Sequence, residues 1–281
     1  MKIVIAEDTG FCYGVKRAID LVSKRLQERK KEVYSLGPFI HNHGVIKELE
    51  KKGLRVVDNL FQIEGGEFLV IRSHGLHPAL IEEARRKKIK VIDATCPFVR
   101  MVQRRVKYLI TKDYEVIIIG DPNHPEVRAL AGFARDEAII INQNSKFKIQ
   151  NLKLKKVGVV SQTTINGKDY QRTVTELYKK IGPEEFLVFN TICQVTEKRQ
   201  KEVVALSRRV DSFLVLGSKD SSNTKTLYEM CRKRRPAFLI ETISQIKEEW
   251  FRNVGTIGIL SGTSTPDWVV KETADTLAKL N

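Results

Sequence analysis

The amino-acid sequence predicts an α/β protein of three similar βα modules arranged around a pseudo-threefold axis. Short runs of β-branched residues alternate with helical patterns along all 281 residues, as in parallel α/β folds. Some runs, such as Ile117-Ile118-Ile119, are apolar throughout, which is typical of parallel strands covered on both faces. A strand, a cysteine and a helix follow one another in each third of the chain, so an internal repeat is expected.

Eleven strands are predicted in chain order, separated mostly by helices. They cover residues 2–6, 32–36, 67–72, 90–93, 115–120, 138–142, 156–161, 185–190, 212–217, 237–241 and 256–261. The modules are expected at residues 1–95, 96–192 and 193–281, with the first strand able to pair with the last module. Ligands of parallel sheets bind beyond the carboxyl ends of the strands, so the loops that follow the strands are the expected functional positions.

The composition predicts a globular protein of a reducing compartment. Apolar residues make up 42% of the chain, yet no apolar run approaches the ~20 residues of a membrane span. The first residues already form a predicted strand, so no signal peptide is expected. Four cysteines without paired spacing are not typical of a disulfide scaffold. We therefore expect a cytoplasmic protein with no membrane partner.

The formal net charge of +15 bears on the choice of partner. Clustered lysines and arginines are commonly solvated helix faces, but they can also attract an anionic substrate, an acidic protein or a nucleic acid. Aromatic residues do not alternate with these clusters, so a nucleic-acid partner is not favoured.

Cys12, Cys96 and Cys193 share one predicted setting, between the end of a strand and the start of a helix. They are 84 and 97 residues apart, which places one in each third of the chain. Pro97 suits the first helical position, because its missing N–H would have no partner there. A thiol at this position meets the positive end of the helix dipole, which favours the metal-binding thiolate.

Three such cysteines can form a zinc site, an iron–sulfur cluster or three ordinary buried thiols. Structural zinc sites usually take ligands from closely spaced cysteine pairs, which the chain lacks. A 4Fe–4S cluster is wide enough for single ligands from three loops, and one iron would then stay open to a substrate. The repeated setting favours a central 4Fe–4S cluster with three cysteine ligands. Cys231 lies inside a helical pattern over residues 226–233 and is not expected to be a ligand.

The remaining strand-end loops are rich in groups that hold anions. These groups are His41, His74, His124, Thr163, Ser221, Ser222, Asn223 and Ser264. Apart from the histidines, they are predicted at helix N-termini, where N–H groups and the dipole favour phosphate. The histidines can add charged donors. His43 and His77 do not fit this pattern and are given no role.

Glu126 is the one carboxylate expected to face the same centre. The simple interpretation is a first-turn helix charge after Pro125. The functional interpretation is a proton donor, because a carboxyl beside an anionic cluster and a phosphate would hold its proton more readily. The residues alone leave both interpretations open.

Together, these loops resemble the LytB/IspH family of 4-hydroxy-3-methylbut-2-enyl diphosphate reductases of the non-mevalonate isoprenoid pathway. The resemblance covers essentially the whole chain. Its motifs are Gly10-Phe11-Cys12-Tyr13-Gly14-Val15, Gly37-Pro38-Phe39-Ile40-His41-Asn42, Arg72-Ser73-His74-Gly75, Asp93-Ala94-Thr95-Cys96-Pro97, Asn123-His124-Pro125-Glu126-Val127, Gln162-Thr163-Thr164, Ser221-Ser222-Asn223 and Ser264-Thr265-Pro266-Asp267. Any one motif would be weak evidence, but so many in one order are specific.

The resemblance implies an iron–sulfur reductase. Cys12, Cys96 and Cys193 would hold the cluster, and the substrate's terminal hydroxyl would bind the iron that has no protein sulfur. Glu126 would deliver the proton that lets this hydroxyl leave as water, and Thr163 would help to orient it. The diphosphate would bind to His41, His74, His124, Ser221, Ser222, Asn223 and Ser264. Electrons from a ferredoxin- or flavodoxin-type donor would give isopentenyl and dimethylallyl diphosphate, and a monomer is expected.

The chain departs from the family pattern in three places. Arg128-Ala129 stands where Gly is frequent, Ala is usual at Val195 and Thr263, and the turn after Asn42 continues with His43-Gly44. These departures affect the expected shape of the loops and not the expected ligands.

Two other functions stay open at this stage. A quinolinate-synthase-like dehydratase would also use a three-cysteine cluster, although small carboxylate substrates would call for more arginine at the loop tips. A basic nucleic-acid-binding protein with a structural metal would show a steep dependence of binding on salt.

Overall fold

Twelve strands form three parallel four-stranded sheets in the computed structural model, which describes residues 1–28, 31–142 and 154–279. The strands are β1 Lys2–Ile5, β2 Val33–Leu36, β3 Leu54–Val57, β4 Phe68–Ile71, β5 Lys90–Asp93, β6 Glu115–Ile119, β7 Ile139–Ile141, β8 Lys156–Ser161, β9 Glu185–Val188, β10 Ser212–Leu216, β11 Ala237–Ile240 and β12 Thr256–Ser261. The predicted α/β class with three βα modules is confirmed.

Helices follow most of the strands, as parallel connections require. They are α1 Tyr13–Gln27, α2 His43–Lys51, α3 Pro78–Arg86, α4 Pro97–Thr111, α5 Pro125–Phe133, α6 Gly167–Ile181, α7 Gln194–Leu206, α8 Ser222–Arg232 and α9 Asp267–Ala278. Within the described ranges, none of these helices combines the length and the apolar character needed to cross a membrane.

The three sheets have the same strand order. They read β3-β2-β4-β5, β7-β6-β8-β9 and β11-β10-β12-β1, and every neighbouring pair is parallel. In the first two sheets the chain forms an inner strand, its outer neighbour, the second inner strand and then the second outer strand. The third sheet repeats this order except that β1, the first strand of the chain, fills the last position.

Apolar residues of the inner strands alternate between two packed faces. In the second sheet, Val116 and Ile118 belong to one buried cluster while Ile117 and Ile119 belong to another. The same alternation occurs along β10 in the third sheet. Burial on both faces explains why these strands read as unbroken apolar runs.

The chain divides into two compact units. One contains Met1–Lys16, Ile40–Glu48 and Gln194–Asn281 and includes the third sheet. The other contains Arg17–Phe39 and Leu49–Cys193 and includes the first and second sheets. The boundaries proposed from the sequence, at residues 95/96 and 192/193, stay predictions.

The strand β3 was not among the predicted strands. It spans four residues at the edge of the first sheet, where Arg55 is exposed and interrupts the apolar run. Gly53 comes just before it with a φ of 108°, a conformation that favours glycine. Most other predicted strands differ from the observed ones by one or two residues at their ends.

Candidate active site

Three cysteines lie directly before a helix, and each comes after an outer strand of one sheet, namely β1, β5 or β9. Cys12 precedes α1, Cys96 precedes α4 and Cys193 precedes α7. Each cysteine is half-buried. The local setting predicted from the sequence is therefore present in all three modules.

The backbone of each cysteine is anchored in the same way. The N–H of Cys12 donates to the Thr263 carbonyl, that of Cys96 to the Ser73 carbonyl and that of Cys193 to the Thr163 carbonyl, each at 3.0 Å. Ser73, Thr163 and Thr263 follow the inner strand that pairs with the cysteine's own strand in each sheet. The repeat thus extends from strand order to individual hydrogen bonds.

The helix that follows Cys12 donates to its sulfur. The Val15 N–H points at Cys12 Sγ over 3.5 Å. Such a donor, together with the positive end of the helix dipole, stabilises a thiolate. Cys96 caps α4 with φ −59° and ψ 136°, and Pro97 takes the first helical position as predicted.

A buried arginine on α7 braces the Cys12 loop. Arg199, only 2% exposed, donates from Nη1 to the Ser261 carbonyl and from Nη2 to the Gly10 carbonyl, each at 2.8 Å. Burial lowers the pKa of this guanidinium, whereas the neighbouring Cys12 acts in the opposite direction. Arg199 thus places a guanidinium beside the Cys12 loop. Arg199 was not predicted from the sequence, because an arginine in a helical pattern is normally a solvated residue.

Cys231 lies in a different environment. It is fully buried on α8, in the apolar cluster that contains Phe213 and Leu227. Burial raises the pKa of its thiol to about 12. The thiolate needed for metal binding is therefore disfavoured at this position.

Glu126 and Thr163 form a buried pair. The Thr163 N–H donates to Glu126 Oε1 at 2.7 Å, and the Thr163 hydroxyl donates to Oε2 at 2.8 Å. Glu126 is 1% exposed and lies in the first turn of α5. Since the Thr163 carbonyl also accepts from Cys193, this threonine links the carboxyl to a cysteine loop.

The environment of Glu126 favours its protonated form. Burial raises the pKa of the carboxyl to about 7, and the two hydrogen bonds from Thr163 oppose this rise only in part. Carboxyls with such values can serve as proton donors near neutral pH. Glu126 is therefore not a solvated charge in the first turn of a helix.

Polar residues cap the helices α2, α5 and α8, which follow the inner strands β2, β6 and β10. His124 Nδ1 accepts from the Glu126 N–H at 3.2 Å, and Ser221 Oγ accepts from the Thr224 N–H at 3.3 Å. In the first module the corresponding cap is Asn42, whose Oδ1 accepts from the Val45 N–H at 3.0 Å.

Asn223, in the first turn of α8, has an unsatisfied amide. The residue is 2% exposed, and neither its Oδ1 nor its Nδ2 has a hydrogen-bond partner within the described part of the chain. Buried polar groups normally have partners, so an unsatisfied amide at a helix N-terminus marks a position suited to a ligand.

The predicted histidines and serines lie in strand-end loops, except Ser222, which begins α8. The His74 and His124 rings meet edge to face, with centroids 5.2 Å apart. His41 is half-buried, and its carbonyl accepts from the Ser264 hydroxyl at 3.0 Å. Ser222 is half-buried at the first position of α8.

The prediction that Thr163 and Ser264 lie at helix N-termini is wrong. Helix α6 is capped by Asn166, whose side chain accepts from two N–H groups, and α9 begins only at Asp267. Both residues lie in the preceding turns instead. The side chain of Thr163 is directed to Glu126, and that of Ser264 is directed to the loop of His41.

Comparison with known proteins gives one consistent family. The sequence profile of a family described as LytB protein matches residues 3–278. This range contains the three cysteine loops, Glu126 and all of the polar loops described above.

Two curated relatives carry the same name, 4-hydroxy-3-methylbut-2-enyl diphosphate reductase. The protein of Caldanaerobacter subterraneus is 41% identical over 285 residues, which cover 100% of this chain and 98% of that protein. The protein of Geobacter metallireducens is 38% identical over 282 residues, again covering 100% of this chain and 98% of the relative.

Two solved structures are also similar. One, described as the (E)-4-hydroxy-3-methyl-but-2-enyl diphosphate reductase that ends the non-mevalonate pathway, has a TM-score of 0.70 and 36% identity, and covers 99% of this chain and 100% of its own. The other, the E-1-hydroxy-2-methyl-but-2-enyl-4-diphosphate reductase of Plasmodium falciparum, has a TM-score of 0.93 and 31% identity. It covers 99% of this chain and 88% of its own.

Proposed function

The chain belongs to the LytB family and has the activity of the 4-hydroxy-3-methylbut-2-enyl diphosphate reductases, and we propose that it works with a 4Fe–4S cluster held by Cys12, Cys96 and Cys193. The observation that carries this proposal is the threefold repetition of one cysteine setting, down to the hydrogen bond of each cysteine N–H. An iron–sulfur cofactor is what the family uses, while the cluster type and the three ligands are our assignment.

The donor set fits such a cluster. Each sulfur belongs to a separate loop before a helix, which suits a cluster that takes single ligands from distant segments. The N–H groups and dipoles of the helices, together with Arg199 beside Cys12, favour thiolates. When bound, the cluster would supply electrons one at a time and leave one iron open to the substrate hydroxyl.

The substrate would be anchored through its diphosphate. The groups available lie in strand-end loops or in the first turn of α8, and they are His41, His74, His124, Ser221, Ser222, Asn223 and Ser264. The unsatisfied amide of Asn223 supports this role, because phosphate oxygens would satisfy a buried donor that has no protein partner among the described residues. The N-terminus of α8 adds N–H groups and a favourable dipole.

Glu126 would supply the proton that turns the departing hydroxyl into water. The reaction removes the terminal hydroxyl of (E)-4-hydroxy-3-methylbut-2-enyl diphosphate with two electrons and two protons, and it yields water with isopentenyl or dimethylallyl diphosphate. A carboxyl with a pKa of about 7 is protonated often enough at neutral pH to act as this acid. Thr163 would hold the carboxyl in one orientation through its two hydrogen bonds and would help to orient the hydroxyl.

The electron donor would be a ferredoxin or a flavodoxin. A chain with a net charge of +15 attracts acidic redox proteins as well as a diphosphate, so the same charge favours the binding of both partners. We propose a monomer that works in the cytoplasm, where thiols stay reduced.

Anaerobic purification followed by metal analysis tests the function. We expect about four iron and about four sulfide per chain. With a chemical or protein reductant, the purified protein should convert the allylic diphosphate to both isoprenoid diphosphates. Stoichiometric zinc in place of iron, or iron-loaded protein that leaves the diphosphate unchanged, would contradict the proposal.

A further inference from the structure

Arg72, the first residue after β4, is a half-buried arginine with an unsatisfied donor. Its Nε is buried and has no hydrogen-bond partner in the described part of the chain. Burial lowers the pKa of the guanidinium, and the nearby positive charge of Arg128 lowers it further. Buried donors are normally satisfied, so an unsatisfied Nε beside a second positive charge suggests a position for an anionic ligand.

The repeat shows what the other modules place at this position. Arg72, Gln162 and Gly262 each come directly before the residue whose carbonyl anchors a cysteine N–H. Gln162 is satisfied within its own module, because its Oε1 accepts from the Asp121 N–H at 3.1 Å and its Nε2 donates to Thr164 Oγ1 at 2.8 Å. Gly262 has no side chain. Arg72 is thus the one of the three that brings an unsatisfied donor to this loop.

The neighbouring loop of the first module makes no hydrogen bond of the kind that Gln162 makes. Gly37 directly follows β2 and Gly120 directly follows β6, and the next residue is Pro38 in one case and Asp121 in the other. Arg72 Nη1 lies over Gly37, 3.2 Å from where a Cβ would be. Pro38 has no N–H, and a guanidinium has no acceptor atom, so the hydrogen bond made by Gln162 has no counterpart here.

The two arginines lie beside residues assigned to the diphosphate. Arg72 is two residues before His74, and Arg128 lies one helical turn beyond His124, whose ring contacts that of His74. Arg128 is exposed, and its Nη2 donates to Asn123 Oδ1 over a long 3.4 Å. The pair therefore extends from a half-buried position to the protein surface.

We propose that Arg72 and Arg128 form an oxyanion subsite that receives a phosphate group of the substrate as it binds. The planar fork of a guanidinium suits phosphate oxygens, and two of them can share one diphosphate. The identity of the anion rests on the function proposed above, whereas the existence of the subsite rests on the two side chains. Because Arg128 is exposed to solvent, we expect the pair to strengthen mainly the initial binding of the substrate and to have little effect on the chemical step.

Titration calorimetry with inorganic pyrophosphate tests the subsite without any turnover. Arg72→Gln and Arg128→Gln should each weaken pyrophosphate binding by roughly tenfold or more, the usual effect of a hydrogen bond to a charged group. Each variant should also show a weaker dependence of binding on salt. Arg172→Gln is the matched control, since Arg172 is exposed in the same unit and is paired with Asp169 at 2.9 Å. Its affinity should equal that of the unchanged protein.

Steady-state kinetics provide the second readout. In Arg72→Gln and Arg128→Gln, KM for the allylic diphosphate should rise by a similar factor while kcat changes little. Unchanged pyrophosphate affinity in both variants would overturn the inference even if the protein is an active reductase. An inactive protein whose pyrophosphate affinity still falls with Arg72 would refute the proposed reaction and retain the anion subsite. If Arg72→Gln does not fold, the exposed Arg128 variant and the charge-preserving Arg72→Lys decide the outcome, the latter being expected to keep most of the affinity.

Discussion

Replacing Glu126 by glutamine should remove most of the turnover and leave substrate affinity and iron content unchanged. Glutamine has nearly the same shape, so its carbonyl oxygen can still accept from Thr163, but its amide N–H is too weakly acidic to transfer a proton. Loss of a general acid typically lowers the rate by 10²–10⁴-fold. The measurement compares kcat, KM and iron content of Glu126→Gln with those of the unchanged protein.

Glu137→Gln is a suitable control for this experiment. Glu137 is exposed a few residues beyond α5, so its replacement changes the charge of the same module without touching the buried pair. Its turnover should match that of the unchanged protein. If Glu126→Gln kept full turnover, or if it lost iron, the assignment of Glu126 as the proton donor would be wrong.

The pH profile gives a second measure of the same carboxyl. Its folded-state pKa of about 7 lies above the ordinary value of 4.5 for a glutamate, so the acid form is present below about pH 7 and is lost as the pH rises through that value. The difference corresponds to about 3 kcal/mol in favour of the protonated form. We expect kcat to fall on the alkaline side of pH 7, and we expect Glu126→Gln to lack this dependence. A flat profile in the unchanged protein would mean that the carboxyl does not limit the reaction.

Much of this fold could be read from the sequence because local and tertiary preferences agree. Strands such as β6 and β10 are apolar on both faces, and the sheets bury both faces. The setting of Cys96 was predictable because Pro97 marks the first turn of α4 without reference to distant residues. The edge strand β3 was missed, since one exposed arginine in a four-residue strand leaves too short an apolar pattern.

Features that depend on partners distant in the chain could not be read in this way. Arg199 looks like a surface residue until the carbonyls of Gly10 and Ser261 are seen around its guanidinium. The hydrogen bonds of Thr163 with Glu126 connect residues separated by 37 positions. The unsatisfied Nε of Arg72 likewise depends on what surrounds this side chain in the fold. Sequence spacing therefore predicts which loops are functional, while the role of a side chain within a loop depends on contacts that spacing does not encode.

Removing any one of the three proposed cysteine ligands should abolish both iron binding and turnover. In Cys12→Ala, Cys96→Ala or Cys193→Ala, the cluster would keep only two protein sulfurs, and we expect loss of most of the iron and of nearly all activity. Iron and sulfide analysis, with the absorption of the anaerobic protein, measures this loss. Cys231→Ala is the matched control, because burial disfavours the Cys231 thiolate and its replacement leaves the three loops intact. The three-cysteine assignment requires each of the three sulfurs to the same extent and does not require Cys231. It would be wrong if Cys231→Ala lost its iron, or if one of the other three variants kept its full iron content.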